Sequence, residues 1–224
     1  MRRSINSDLI TLHHPKSPIS EAYRTLRTNI QFSSFETTMQ VIMVASAQRG
    51  EGKTTTISNL AVAYAHEGKK VLLVDSDLRT PVLHDLFSLQ NQLGLTTILT
   101  NQSKWQETIK DTEVENLSLL TSGPIPPNPS ELLSHQRMGM LMDTLKEHYD
   151  LILMDTSPVM GVTDSLVVSA LCDGVILVVA AGMTDKELVT KTKANLERVN
   201  SRILGVVFND IKGKSNARKT VFSR

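Results

Sequence analysis

The chain has 224 residues, 40% hydrophobic and 21% charged, and its 24 Lys and Arg against 23 Asp and Glu leave a net charge of +1. This is globular composition with enough chain for a large core, and the balanced charge excludes a whole-molecule field that would draw nucleic acid. A single cysteine, Cys172, excludes an internal disulfide and fits a reducing compartment.

Residues 1–39 precede the first strong strand. Ser17–Pro18 marks a helix start there, followed by Ala22, Leu26 and Ile30 at four-residue spacing. The first core strand is predicted over 41–45. A helix over 53–66 follows, with Ile57, Leu60, Ala61 and Tyr64 at helical spacing and Gly68 as its stop. Further strands are predicted over 71–74, 117–120, 151–154, 175–179 and 203–207. Their nearly unbroken apolar character suits parallel strands covered on both faces. Between them, Asn128–Pro129–Ser130–Glu131 is a helix-start pattern, and a helix is predicted over 137–147. Asp164 is placed to cap a helix ending near Cys172, and Asp185 one running to about Val199. Strands alternating with helices imply a doubly wound, mostly parallel α/β sheet.

The apolar run 174–182 is too short to cross a bilayer, and Met1–Asn6 leads into mixed polar residues unlike a signal peptide. A cytoplasmic protein is expected, with any membrane role arising through a partner. The organisation predicted is an arm over 1–39, a domain over 40–211 and a tail over 212–224. That tail carries Lys212, Lys214, Arg218, Lys219 and Arg224 with no acid, and is expected to be flexible and solvated.

The run Ala47–Gln48–Arg49–Gly50–Glu51–Gly52–Lys53–Thr54 lies between the first strand and its helix. Strand, glycine-rich turn, Lys-Thr and helix together form a P-loop. Gly50 and Gly52 let the backbone turn its N–H groups inward, and the helix N-terminus adds partial positive charge. Lys53 is placed to reach the β and γ phosphates of ATP, and the Thr54 hydroxyl to ligate Mg²⁺. The nucleotide contacts expected are Gln48, Arg49, Gly50, Glu51, Gly52, Lys53, Thr54 and Thr55.

Two carboxylate clusters end later strands: Val74–Asp75–Ser76–Asp77 and Met154–Asp155–Thr156–Ser157–Pro158. Ligands of open parallel sheets bind beyond the carboxyl ends of strands, so Asp75, Asp77 and Asp155 are expected beside the loop. Asp155 follows four apolar residues, the pattern of a Walker B acid holding Mg²⁺. Phosphoryl transfer to a hydroxyl needs a metal on the phosphates and a carboxylate near the attacking oxygen. Lys53, Asp75, Asp77 and Asp155 are therefore the candidate catalytic residues, and Thr54, Asp77 and Asp155 the candidate metal ligands. In the competing reading, Asp77 caps the following turn and Asp75 merely ends a strand.

These motifs, in the forms Val-Asp-Ser-Asp-Leu-Arg-Thr-Pro and Leu-Met-Asp-Thr-Ser-Pro after the P-loop, resemble the bacterial tyrosine kinases of exopolysaccharide and capsule systems. The resemblance covers about residues 20–209 and identifies Walker A, A′ and B motifs at 47–54, 71–77 and 151–155. It implies an ATP-dependent protein-tyrosine kinase acting on itself and on other proteins. It also implies activation by the cytoplasmic tail of a membrane modulator, which would recruit the chain to the inner face of the membrane. Glu21, Arg24 and Arg27 match the family's subunit-contact motif, which implies a ring-like homo-oligomer. Family members usually carry a C-terminal tyrosine cluster. The tyrosines here are Tyr23, Tyr64 and Tyr149, so either the sequence stops short of the cluster or the cluster is naturally absent; little self-phosphorylation is expected of the sequence as given, and Tyr23 is the candidate internal acceptor. Related ATPases use an Asn at the position of Asn209 to read adenine, although a turn former after a strand explains it equally. Arg79 suits either phosphate or a neighbouring subunit.

A second reading is a non-kinase ATPase switch of the partitioning or septum-site type. Those proteins add a Lys near the start of the loop, where this chain has Gln48. A third is a nucleotide-sensing adaptor that transfers nothing, against which Lys53, Thr54 and the three acids are all present.

Overall fold

The computed structural model describes residues 8–33, 39–212 and 218–223, with side chains described through Asn209. In chain order the elements begin with a short α1 (Ile10–His13) and α2 (Pro18–Ser33), then β1 (Val41–Ser46), α3 (Lys53–Ala65) and β2 (Val71–Asp75). Short helices α4 (Leu83–Leu86), α5 (Leu95–Leu99) and α6 (Trp105–Thr108) lead to β3 (Lys110–Asp111) and β4 (Leu117–Leu120). Then come α7 (Pro129–Ser134), α8 (Gln136–Lys146), β5 (Leu151–Asp155), α9 (Asp164–Ser169), β6 (Gly174–Ala180), α10 (Lys186–Arg198), β7 (Ile203–Lys212) and β8 (Arg218–Ser223). The four-residue α4 and α6 and the two-residue β3 were not predicted, since such lengths carry no full period of hydrophobic pattern.

The described strands form one sheet in the order β3-β4-β2-β5-β1-β6-β7-β8. All pairings from β4 through β7 are parallel, and the two outermost are antiparallel. Successive residues of each strand face opposite sides. Ile42, Val44, Val71, Leu73, Leu153, Ile176 and Val178 pack in one cluster with Ile57, Leu60 and Ala61 of α3. Val41, Met43, Leu72, Val74, Ile152, Met154 and Val175 pack in a second with Leu141 and Leu145 of α8 and Val168 of α9.

The structure corrects two expectations about the ends of the chain. The arm does not stand apart from the core: Tyr23, Leu26 and Ile30 of α2 are buried in the cluster that includes α3, while Ala22 is only half-buried. The reason lies in α3, where every residue from Thr56 to Ala65 is buried. A helix buried all round has a cover on the side away from the sheet, and α2 supplies it. Arg27 fastens the two, donating to the Ala63 carbonyl at 2.8 Å and pairing with Glu67 at 3.5 Å, which serves the end of α3 where carbonyls lack helical partners. At the other end, residues 218–223 of the expected flexible tail form β8, antiparallel to β7. Thr220, Val221 and Phe222 have high strand propensity, and lysine is common on edge strands. β7 itself runs past Asn209, where the predicted strand ended at 207, to Lys212.

Candidate functional site

Residues 47–52 leave β1 and turn into α3 with Gly50 at φ +82° and Gly52 at φ +92°, backbone conformations open chiefly to glycine. A Cβ at Gly52 would also meet the Asn209 amide, which would have to move aside. Asn209 Nδ2 donates to the Glu51 carbonyl at 3.1 Å, which places Asn209 as a brace against the loop. Among the expected nucleotide contacts, Gln48, Arg49 and Gly50 are exposed, Thr54 and Thr55 are half-buried, and Lys53 is 7% exposed.

The Glu51 side chain has a structural use of its own. It is buried, accepts the Gln48 N–H at 2.7 Å and takes the Thr184 hydroxyl on its other oxygen. Its carboxylate therefore ties the loop to the turn after β6, and only its backbone can face a phosphate. Thr184 escaped the sequence reading because nothing local to residues 181–185 signals a partner in the P-loop.

The acids sit where the sheet register puts them. Asp75 and Asp155 are direct neighbours at the ends of β2 and β5, and Val44 of β1 is the partner of Asp155 on its other side. Both carboxylates continue the face that α3 covers, so they emerge at its N-terminus. There Thr54 Oγ1 donates to Asp155 Oδ2 at 2.6 Å. Asp75 is fully buried: one oxygen accepts the Leu83 N–H at 3.1 Å and the other has no close partner among the described residues. Asp77 accepts the Arg79 and Thr80 N–H groups at 3.2 and 3.1 Å and the Thr80 hydroxyl at 3.2 Å, which is the turn-capping geometry of the competing reading.

Burial dominates the electrostatics. It raises the Asp155 carboxyl to about 6 against the stabilising Thr54 hydrogen bond and Lys53 charge. It raises Asp75 as well, helped by the neighbouring Asp155. It lowers the Lys53 ammonium, which Asp155, Asp77 and Glu51 oppose. The Lys53 charge is thus embedded among carboxylates, with burial and the opposite charges acting on it in opposite directions.

Asp164 corrects a further expectation, and Arg79 is its partner. Thr163, not Asp164, occupies the cap of α9 and gives no side-chain cap bond. Asp164 is instead 1% exposed and takes Arg79 on both oxygens, Nε at 2.6 Å and Nη2 at 3.1 Å. A cavity of about 290 Å³ opens beside this pair, lined by Gln48, Arg49, Arg79, Ser157, Met160 and their neighbours. Among the described residues, no three His, Cys, Asp or Glu side chains converge as a protein-only metal cage. Mg²⁺ does not need one, since it is commonly held by one or two protein groups together with phosphates and waters.

Comparison with known proteins agrees with this architecture. The AAA domain family model matches residues 39–204. The tyrosine-protein kinase YwqD of Bacillus subtilis is 44% identical over 202 residues, covering 90% of this chain and 85% of that one. The putative tyrosine-protein kinase CapB of Staphylococcus aureus is 38% identical, covering 93% of this chain and 91% of that one. The crystal structure of the chimerical protein CapA2B2 superposes with a TM-score of 0.87 at 44% identity, covering 89% and 88% of the two chains. The cell division ATPase MinD of Pyrococcus furiosus, from the class of the second reading, is further away. Its TM-score is 0.68 at 25% identity, covering 80% of this chain and 75% of that one. With a shared sheet, a P-loop and identity well above 30% over most of its length, the chain belongs to the bacterial tyrosine-protein kinases.

Proposed function

We propose that this chain transfers the γ-phosphoryl group of ATP to tyrosine hydroxyls of proteins and thereby regulates exopolysaccharide or capsule synthesis. The observation that carries the reading is the Thr54–Asp155 hydrogen bond beside the buried Lys53, at the carboxyl edge of the sheet. The residues present fit ATP and Mg²⁺. The loop has two positive-φ glycines and a following helix N-terminus, and Thr54 and Asp155 form a hydroxyl–carboxylate pair whose oxygens are hard donors of the kind Mg²⁺ takes. Bound Mg²⁺ would neutralise phosphate charge. Lys53 would hold the β and γ phosphates, Thr54 and Asp155 would hold the metal, and Asp77 would face the acceptor hydroxyl or the metal, with Asp75 behind them. In this reading Gln48–Thr55 contribute the nucleotide contacts and Asn209 borders the base.

No helix among the described residues is long and apolar enough to cross a membrane. With the family resemblance, this supports recruitment to the inner membrane face by the cytoplasmic tail of a membrane modulator. The decisive assay incubates the chain with labelled ATP, Mg²⁺ and a tyrosine peptide, with phosphotyrosine detection. Tyr23, Tyr64 and Tyr149 are 2%, 4% and 8% exposed, so the burial of Tyr23 removes it as the internal acceptor. Label is expected on the peptide, or on an appended tyrosine-bearing tail, and not on these three. Strong label mapped by mass spectrometry to Tyr64 or Tyr149 would contradict that picture of delivery.

The homo-oligomer is proposed to form through α2. Glu21 and Arg24 pair with each other at 2.6 Å with side chains 67% and 36% exposed, so a neighbouring subunit can engage them. Arg27 is less available, being committed to α3. Changing Glu21 and Arg24 to Ala together is expected to lower the oligomer mass in light scattering without loss of fold. Adding Arg27→Ala should lower it further and also destabilise the monomer by about 1 kcal/mol, the worth of a typical hydrogen bond. Equal mass for all three proteins would refute the role of this face.

A further inference from the structure

We propose that Asp164 is a positioning residue for phosphoryl transfer, acting through Arg79 on the turn that carries Asp77. The inference rests on the proposed role of Asp77 at the transfer centre. It starts from a cost. Asp164 is a carboxylate only 1% exposed, on an element that gains no capping bond from it. Burying an ion pair is weak evidence for stability, because desolvation consumes most of the attraction. What the two-point geometry does supply is direction: the planar guanidinium meets both carboxylate oxygens, at 2.6 and 3.1 Å, and fixes the orientation of Arg79 as well as its distance.

The location of that direction matters. Arg79 lies two residues after Asp77, and its own backbone N–H is one of the donors to the Asp77 carboxylate. Thr80 contributes a second N–H and its hydroxyl. The 77–80 turn is therefore a unit, and the Arg79 side chain is its anchor to α9. The anchor joins the segments that follow β2 and β5, the adjacent strands that deliver Asp75 and Asp155 to the site. It also forms one wall of the cavity shared with Gln48, Arg49 and Ser157, whose buried hydroxyl has no partner among the described residues.

Removing the anchor has a specific consequence. Asp77 is the other carboxylate whose charge Arg79 feels. Without Asp164, Arg79 is released toward Asp77, and a carboxylate required beside the acceptor becomes an ion-pair partner. Displacement of a reacting group by about 1 Å is enough to lower a rate roughly a hundredfold. Loss of transfer with nucleotide affinity preserved is therefore expected, since Lys53, Thr54 and Asp155 do not touch this pair.

The test measures tyrosine-peptide phosphorylation and ATP affinity for Asp164→Asn, Arg79→Gln and the double variant, with Asp77→Asn in parallel. Asp164→Asn is expected to lower kcat about ten- to hundredfold while ATP affinity changes less than threefold. The double variant should be no worse than the larger single loss, because the two residues act as one device. Guanidinium ion at millimolar concentration should restore part of the activity of Arg79→Ala, and restore none when Asp164→Asn is added. Arg79 is half-exposed, so this rescue keeps the test valid should the change at buried Asp164 impair folding. Full kcat in Asp164→Asn, multiplicative losses in the double variant, or rescue independent of Asp164 would each overturn the inference. If Asp77→Asn itself transfers at full rate, the proposed role of Asp77 fails and takes this inference with it. A loss in Asp77→Asn beside full activity in Asp164→Asn overturns the inference alone.

Discussion

Lys53→Met is expected to abolish phosphoryl transfer and tight ATP binding while the circular dichroism spectrum and cooperative unfolding are retained. Lys53 is the one buried cation at the start of α3, 7% exposed, with its charge opposed by burial and held by Asp155, Asp77 and Glu51. A preorganised charge facing the phosphates in a site that excludes water contributes more than it would in solution, and removal of a single such donor typically lowers a rate by about a hundred- to a thousandfold. Methionine preserves the length and apolar stem of the side chain, so the packing of α3 against the sheet should survive. Isothermal titration with ATP and Mg²⁺, beside the peptide assay, checks both halves. Unchanged turnover would exclude this loop as the site.

Asp77→Asn and Asp155→Asn are expected to separate chemistry from binding. Asparagine at 77 keeps an acceptor oxygen for the Arg79 and Thr80 N–H groups, so the turn survives and only the charge is lost. Transfer should fall by about a hundredfold or more, in the range seen when a positioned acid or base is removed, with ATP affinity close to that of the unmodified chain. Asp155→Asn should also weaken Mg²⁺-dependent nucleotide binding, because Asp155 faces the Thr54 hydroxyl that would share the metal. The contrast is read from ATP affinity with and without Mg²⁺ against single-turnover transfer. Small and equal effects of the two changes would remove the roles assigned to both acids.

Much of the fold was legible because its signals are local. Val41–Ala45 and Leu151–Met154 read as buried parallel strands from unbroken apolar runs, and both are strands buried throughout. The Gly50–Glu51–Gly52–Lys53–Thr54 turn read as a phosphate loop because its glycines answer a backbone demand that few other residues meet, seen in the φ values of +82° and +92°. The ends of the chain were less legible. The run Ala61–Val62–Ala63–Tyr64–Ala65 carried the clue that α3 needs a second cover, yet which segment supplies it depends on how the chain folds back. Tyr23, read as an accessible acceptor between two charges, is buried for that reason.

By itself the sequence determined the class of the protein: the alternation of strands and helices, the loop, and the acids at strand ends. These are encoded within a few residues of each other, where backbone sterics and side-chain periodicity act directly. Only the tertiary structure decided the partnerships: Thr54 with Asp155, Arg79 with Asp164, Glu51 with Thr184, and Arg27 with the end of α3. Each joins segments separated by 36 to 133 positions. They depend on the strand order that inserts β5 between β1 and β2 and places β6 on the other side of β1. That order follows from the packing of all the elements together, so a polar residue's partner across the sheet is set by the whole core and not by its neighbours in the chain.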